Sequence, residues 1–393
     1  MNQSTASRLH HIDILRGLII LFMVLDHSMV FCIDYNVTDP MTIPGTDEKV
    51  FASRFLSHFC APLFIFLSGL SAAMTEVRHS NSREFAKALI IRGLVLIGLE
   101  FTLVSWSWSF NPTYPMLYAQ IIWAIGWGFV GLGVFRLMGL KAVMLMGVSV
   151  VFFHDLFNGV RFDEGSVSYY IWSILHQKNV LQLPMDFKVR TTYPMLPVMG
   201  LMALAYMLGR AYVASGFSRQ FEQLMLKTGV ACIGLYSILR VFNLYGDPGL
   251  FTFFSEWHLT VMSFLNPTKY PLSLQFMLLT VGVGLMLLYF FAKLKVTFSQ
   301  GFLQVLGKTS MFSYILHLYV GHLLSWILIP VFGFGLEDMT YGQTLTGLPE
   351  GFSLTYFQTC LFASMVIFIT WVCARHYLPW KLHNKNRWVA KYI

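Results

Sequence analysis

Arg16 and His27 stand eleven residues apart in "DILRGLIILFMVLDH", a stretch that otherwise reads as helix soluble in hydrocarbon. At 100° per residue, eleven steps make three turns, so both side chains leave the helix on one face, about 16 Å apart along its axis. Asp13 shares that face, and Asp26 lies roughly a quarter-turn away. A charged group costs about 2.5 kcal/mol or more at the centre of a bilayer, so such a stripe is expected to face protein or water and not lipid. A neutral imidazole takes a proton from an alcohol or amine near pH 7, and a neighbouring carboxylate can orient its ring. It can also carry an acyl group itself, splitting a transfer into two steps. His27, with Asp26 or His58 beside it, is therefore the catalytic candidate. Arg16 offers a permanent cation, suited to the phosphates of a long donor such as coenzyme A. A salt bridge to Asp13, one turn earlier, is the competing use, and the two roles are compatible.

Counting inward from the ends of apolar runs puts His58 at the depth of His27, with Glu100, His154, Asp155, Arg240 and His322 also in the outer parts of their helices. Each alone is equally well explained by a hydrogen bond to a neighbouring carbonyl. Together they predict a polar cavity opening outward. Asn266, Lys269 and Tyr270, in an outer loop, join Glu100, His154, Asp155, Arg240 and His322 as candidates for binding an acceptor. "FCAPLFIFLSGLSAAM" adds Ser68 and Gly69, small residues that serve close helix packing or leave a gap for a narrow acyl thioester, so they join Arg16 and Asp13 on the donor side. His317 and His322 are five apart and off a common face, which argues against a two-histidine metal site; no metal is expected. His10, His11 and His383 read as solvated. Cys32, Cys60, Cys232, Cys360 and Cys373 show no spacing for a zinc site or a disulfide framework.

The elements that must hold these groups are membrane helices. Hydrophobic residues make up 56% of the 393 and charged residues only 12%, too apolar for a soluble globule. Long apolar runs, rather than alternating ones, select helices over barrel strands. Ten spans are predicted, at 10–32, 53–76, 87–108, 115–137, 141–157, 193–214, 228–245, 272–292, 309–330 and 353–375, each near the roughly 20 residues a bilayer requires. The fold class is thus all-α: a polytopic helical bundle in one domain, 1–393, with no linker and no fixed-period repeat. No cleavable signal peptide is expected. Assigning loops alternately gathers Arg78, Arg83, Arg136, Lys141, Arg210, Arg219, Lys293, Lys295, Lys381, Lys385, Arg387 and Lys391 on one side, which places that side and both termini in the cytoplasm. The net charge of +8 therefore orients the chain in its lipid bilayer, and no nucleic-acid partner is expected. Two outer loops, 158–192 with its aromatic "SVSYYIWSILHQ" and 246–271, are long enough to act as lids.

Arg16 and His27 inside "DILRGL" and "MVLDH", followed by "FIFLSG", resemble the first two helices of the transmembrane acyltransferase superfamily. That superfamily includes bacterial enzymes that modify surface glycans and the lysosomal heparan-α-glucosaminide N-acetyltransferase. "RFLSHFCAPLFIFLSG", "QIIWAIGW", "YPMLPVMGLMALAYMLGR", "LNPTKYPLSL", "ILHLYVGH" and "RWVAKYI" extend the resemblance along nearly the whole chain, to a bacterial family named after the catalytic domain of that heparan enzyme. The resemblance implies a bundle of about ten or eleven helices in a bacterial inner membrane. It also implies transfer of an acyl group, commonly acetyl, from cytoplasmic acyl-CoA to a sugar on the periplasmic side. Arg16 and His27 are the matching positions; Asp26 stands where the heparan enzyme's asparagine aligns.

Two other classes use the same residue types. A proton-coupled transporter would relay protons through the Asp, His and Glu groups, although no repeat or symmetrically broken span pair is visible. A non-catalytic partner in an envelope-assembly complex is the third class. Association as a homodimer is left open by the sequence.

Overall fold

The computed structural model describes residues 10–33, 41–111, 116–184, 187–294, 298–340 and 345–393; Lys295 of the basic set lies outside them. In chain order the elements are α1 (His10–Cys32), α2 (Glu48–His58), α3 (Cys60–Glu76), α4 (Ser82–Leu99), a π-helical turn (Glu100–Val104), α5 (Ser105–Ser109), β1 (Met116–Ala119), α6 (Ile121–Met138), α7 (Leu140–Phe153), a 3-10 turn (His154–Phe157), α8 (Val167–Leu175), β2 (Val180–Gln182), β3 (Lys188–Thr191), α9 (Met195–Ala214), α10 (Arg219–Val241), α11 (Trp257–Phe264), α12 (Leu274–Lys293), α13 (Phe298–Lys308), α14 (Ser310–Val331), a 3-10 turn (Leu336–Asp338), α15 (Tyr356–His383) and α16 (Trp388–Tyr392).

Ten helical segments among the described residues are long and apolar enough to cross a membrane, and each overlaps one of the ten predicted spans. Polar caps set where the helices begin. Asp47 accepts from the amides of Lys49 and Val50 at the head of α2, and Asn81 accepts from Arg83 and Glu84 at the head of α4. Thr355 and Gln358 form a reciprocal capping box that starts α15. α10 begins at Arg219 and not at 228, because Ser218 caps a polar first turn that hydropathy alone passes over. α7 and α10 bury little of their length and leave Leu145, Val148, Phe152, Val230, Leu235 and Ile238 exposed. Apolar residues turned outward suit lipid as the surrounding solvent. The chain is a multi-pass membrane protein.

The described residues fall into two compact units, each discontinuous in sequence. The first takes its described residues from Met1–His11, Ala61–Phe101 and Met116–Leu294. In it α4 packs on α6, α9 on α6 and α7, and α10 on α12. Gly93 and Gly126 let the backbones of α4 and α6 meet: a Cβ on Gly126 would stand 2.7 Å from the Gly93 carbonyl oxygen, closer than any side chain tolerates. Three short strands, not anticipated from sequence, form a sheet of order β1-β3-β2, with β1 and β3 parallel and β2 antiparallel to β3. The alternation of Lys-Val-Arg-Thr in β3 is too brief to register as a strand beside long apolar runs.

The second unit comprises Ile12–Cys60, Thr102–Pro115 and Lys295–Ile393. Here α15 packs on α13 and α14, and α5 packs on α14. Gly307 lies on the Asp13 carbonyl and Gly17 on that of Leu303, so α1 and α13 touch backbone to backbone.

Candidate active site

In the second unit, α1 presents His27 to α14. Its Nδ1 lies 2.7 Å from Nε2 of His317, and the two rings are within 17° of coplanar. Ser313, Tyr314, His317, Leu318 and Gly321 are buried at the three- and four-residue spacing of a helix face, so α14 delivers His317 from its packed side. His317 Nδ1 is 3.0 Å from the carbonyl oxygen of Ser313, one turn back. Trp108 of α5 packs edge-on against His27 at 4.8 Å between ring centroids, and Tyr314 lies at 6.4 Å. His322 goes elsewhere. It stacks on Phe110 at 4.3 Å, its Nδ1 is 2.9 Å from the Ser107 carbonyl oxygen, and Phe31 and Trp326 enclose it.

Asp26 pairs with Arg54 of α2 at 2.6 Å. The carboxylate expected to orient His27 thus pairs with a guanidinium, and the imidazole meets another imidazole. The α2 turn around Arg54 is tied down by Ser57, whose hydroxyl donates to the Arg54 carbonyl, and by Ser53, bonded to the Tyr356 hydroxyl at 2.9 Å. His58 is buried beside Phe55. Arg16 makes the anticipated contact with Asp13, at 3.5 Å, and both side chains keep about a fifth of their surface exposed.

His317 and Arg54 are the two residues that reading the sequence did not bring to the site. His317 lies seven residues from the start of α14, which counting places in the inner half, whereas His27 is five from the end of α1. Hydropathy edges of different helices do not lie in one plane, and α13, itself amphipathic, blurs the edge before α14.

In the first unit, Glu100 is fully buried and accepts from the Trp123 amide at 2.9 Å, in the first turn of α6. Asp155 does the same for α12: it accepts from the Leu274 amide at 2.8 Å and from the Asn158 side chain at 2.9 Å. A carboxylate at a helix N-terminus satisfies amides that lack intrahelical partners and matches the dipole. His154 Nδ1 is 3.2 Å from Nε2 of His176, which in turn is 2.9 Å from the His154 carbonyl oxygen. Burial, and then the neighbouring His154, hold the His176 imidazole down to about 4. Arg240 donates to the carbonyls of Gly249, Ser263 and Asn266 and lies 4.0 Å from Asp247, closing the 246–271 loop on itself. Tyr270 has Lys178 and Lys269 over its ring, at 4.7 and 5.4 Å, and the Tyr193 hydroxyl 3.4 Å from its own. Gly69 packs against Ala205 and the backbone of α9, the helix-packing use of the small residues around Ser68.

No curated protein matches the chain. A sequence model described as heparan-alpha-glucosaminide N-acetyltransferase, catalytic, matches residues 8–242, more than half of the length. The match takes in Arg16, Asp26, His27, Arg54 and all of α1 to α10, and the chain therefore belongs to the family of the heparan-α-glucosaminide N-acetyltransferase catalytic domain.

Proposed function

We propose that this chain is a membrane-embedded acyltransferase that moves an acyl group, acetyl in the first instance, from cytoplasmic acyl-CoA to an amine or hydroxyl of a sugar on the outer side of a bacterial inner membrane. The observation that carries the reading is His27: a chain of a transferase family holds an imidazole at a fixed position on the polar stripe of its first span. In this scheme His27 removes the proton as the acceptor's nitrogen or oxygen attacks the thioester carbonyl. The tetrahedral intermediate then collapses with cleavage of the carbon–sulfur bond. The coenzyme A thiolate leaves and takes the proton back from His27, so acylated acceptor and free thiol are the products. Arg16, on the same face toward the cytoplasmic end, attracts the donor's phosphates, and Asp13 holds its guanidinium in place.

The test uses the purified protein in liposomes with radiolabelled acetyl-CoA and a mixture of amino sugars and hexoses. Wild type is expected to release thiol and label an acceptor only when the acceptor is present. His27→Ala is expected to lose at least about 100-fold in rate, the usual worth of a general base, while still folding into the membrane. Full activity in that variant overturns the assignment. Uptake of a solute without thiol release replaces it with a transporter.

A further inference from the structure

We infer that His317 is a positioning residue that fixes His27 in the tautomer bearing its hydrogen on Nδ1, making Nε2 of His27 the proton-accepting atom. The inference rests on the reading of His27 as the base of an acyl transfer. It follows from four atoms in a row. The Ser313 carbonyl oxygen can only accept, so the His317 Nδ1 that lies 3.0 Å from it carries a hydrogen. A neutral imidazole has one such hydrogen, which leaves a lone pair on His317 Nε2. That lone pair faces Nδ1 of His27 at 2.7 Å, a distance at which two lone pairs repel and one must hold a hydrogen. His27 Nδ1 is therefore the donor, and the lone pair of His27 sits on Nε2. Only a doubly protonated His317 reverses these roles, and that requires a cation on a fully buried side chain within a span.

The rings lie within 17° of a common plane, so the shared hydrogen lies near the plane of the accepting lone pair. Trp108 at 4.8 Å packs on the His27 ring and resists its rotation. A carboxylate is the commoner partner for orienting a catalytic imidazole. Here Asp26 is bonded to Arg54, and a neutral imidazole takes the orienting place. When His27 accepts a proton on Nε2, its Nδ1–H bond to His317 becomes charge-assisted and strengthens as charge develops. The device needs one turn of α14: the backbone carbonyl of residue 313 meets the side chain of the histidine four residues later.

Two variants separate positioning from packing. Gln at 317 places an amide oxygen near the position of Nε2 and can still accept from His27; Phe keeps a ring and removes the acceptor. His317→Phe is expected to lower kcat by roughly 100-fold with the KM for acyl-CoA within about twofold, as for a misoriented reacting group. His317→Gln is expected to recover to within about tenfold of wild type. Equal activity in His317→Phe and wild type overturns the inference.

The second readout needs no turnover. The full-length protein is labelled with 15N-histidine, its solid-state NMR spectrum in bilayers is recorded, and the spectrum of His27→Ala is subtracted to isolate His27. A protonated Nδ1 and a bare Nε2 support the inference, and the opposite pattern overturns it even if the enzyme is active. Should wild type transfer no acyl group to any acceptor, the functional reading falls, and the spectrum still decides the tautomer. Should His317→Phe fail to fold, the wild-type spectrum and the Gln variant still decide it.

Discussion

Asp26 shows how a residue's neighbours decide what its substitution does. Were Asp26 the orienting group of His27, Asp26→Ala would cut turnover whatever stood at position 54. Its contact with Arg54, 2.6 Å with the arginine a quarter exposed, gives a different expectation. Removing the carboxylate takes a charge partner from a partly buried guanidinium and should destabilise the protein by about 1–3 kcal/mol, short of the loss at a fully buried pair. Removing both partners in Asp26→Ala/Arg54→Ala should return much of that stability, and activity with it. The check is a double-mutant cycle in detergent, reading melting temperature and acyl transfer together, with a coupling energy of about 0.5 kcal/mol or more expected for residues in contact. A turnover loss that persists in the double variant returns Asp26 to the role of orienting His27. Adjacency in sequence favoured the Asp26–His27 pairing, yet neighbours in a helix point about 100° apart and do not face each other. The partner came from α2, which no one-dimensional reading of α1 contains.

Among the elements, α8 offers a pH test. It lies in the loop 158–192, whose aromatic stretch and length were legible in the sequence, and begins at the Ser166 cap. What the sequence did not show is its tie to the end of α7, through His176 and His154. His176 follows the last residue of α8, stacks with Trp172 at 4.9 Å and is buried. Folding lowers its pKa from 6.5 to about 4, by burial first and His154 second. In the unfolded chain the ring takes up a proton near 6.5, whereas in the folded chain it stays neutral until about 4. Its contribution to stability is therefore complete above pH 6.5, declines as pH falls from 6.5 to about 4, and changes no further below that. Melting temperature measured across that window should fall more steeply for wild type than for His176→Phe, which lacks this imidazole. Parallel curves would show that this histidine does not govern the acid response. The spans themselves were readable because a bilayer imposes length and apolarity together. Depth was not, because it depends on tilt and on which helix ends share a plane, and that is why His317 went unseen.

For the whole molecule, the property with most bearing on function is which face meets the cytoplasm. Within the first unit, Glu76 at the end of α3 accepts from Arg136 near the end of α6, at 2.8 and 3.0 Å, from Arg210 near the end of α9, and from the Tyr206 hydroxyl at 2.8 Å. Three helices that alternate counting runs in the same direction thus end together, at two arginines counted in the basic set. Asp155 at the end of α7 meets Leu274 at the start of α12, as the same alternation requires. Contact and charge therefore agree on the parity of these helices of the first unit. From the basic residues Arg78, Arg83, Lys141 and Arg219 that follow those helices in sequence, we infer that these ends face the cytoplasm. Alkaline phosphatase, active only outside the inner membrane, should be inactive when fused after residue 80 or at the C-terminus, and active when fused within 158–166 or 250–256. A fluorescent protein that matures only in the cytoplasm should give the mirror pattern. The reverse result would put Arg16 on the outer side and His27 toward the cytoplasm, where acyl-CoA is found, and the proposed direction of transfer would fail with it.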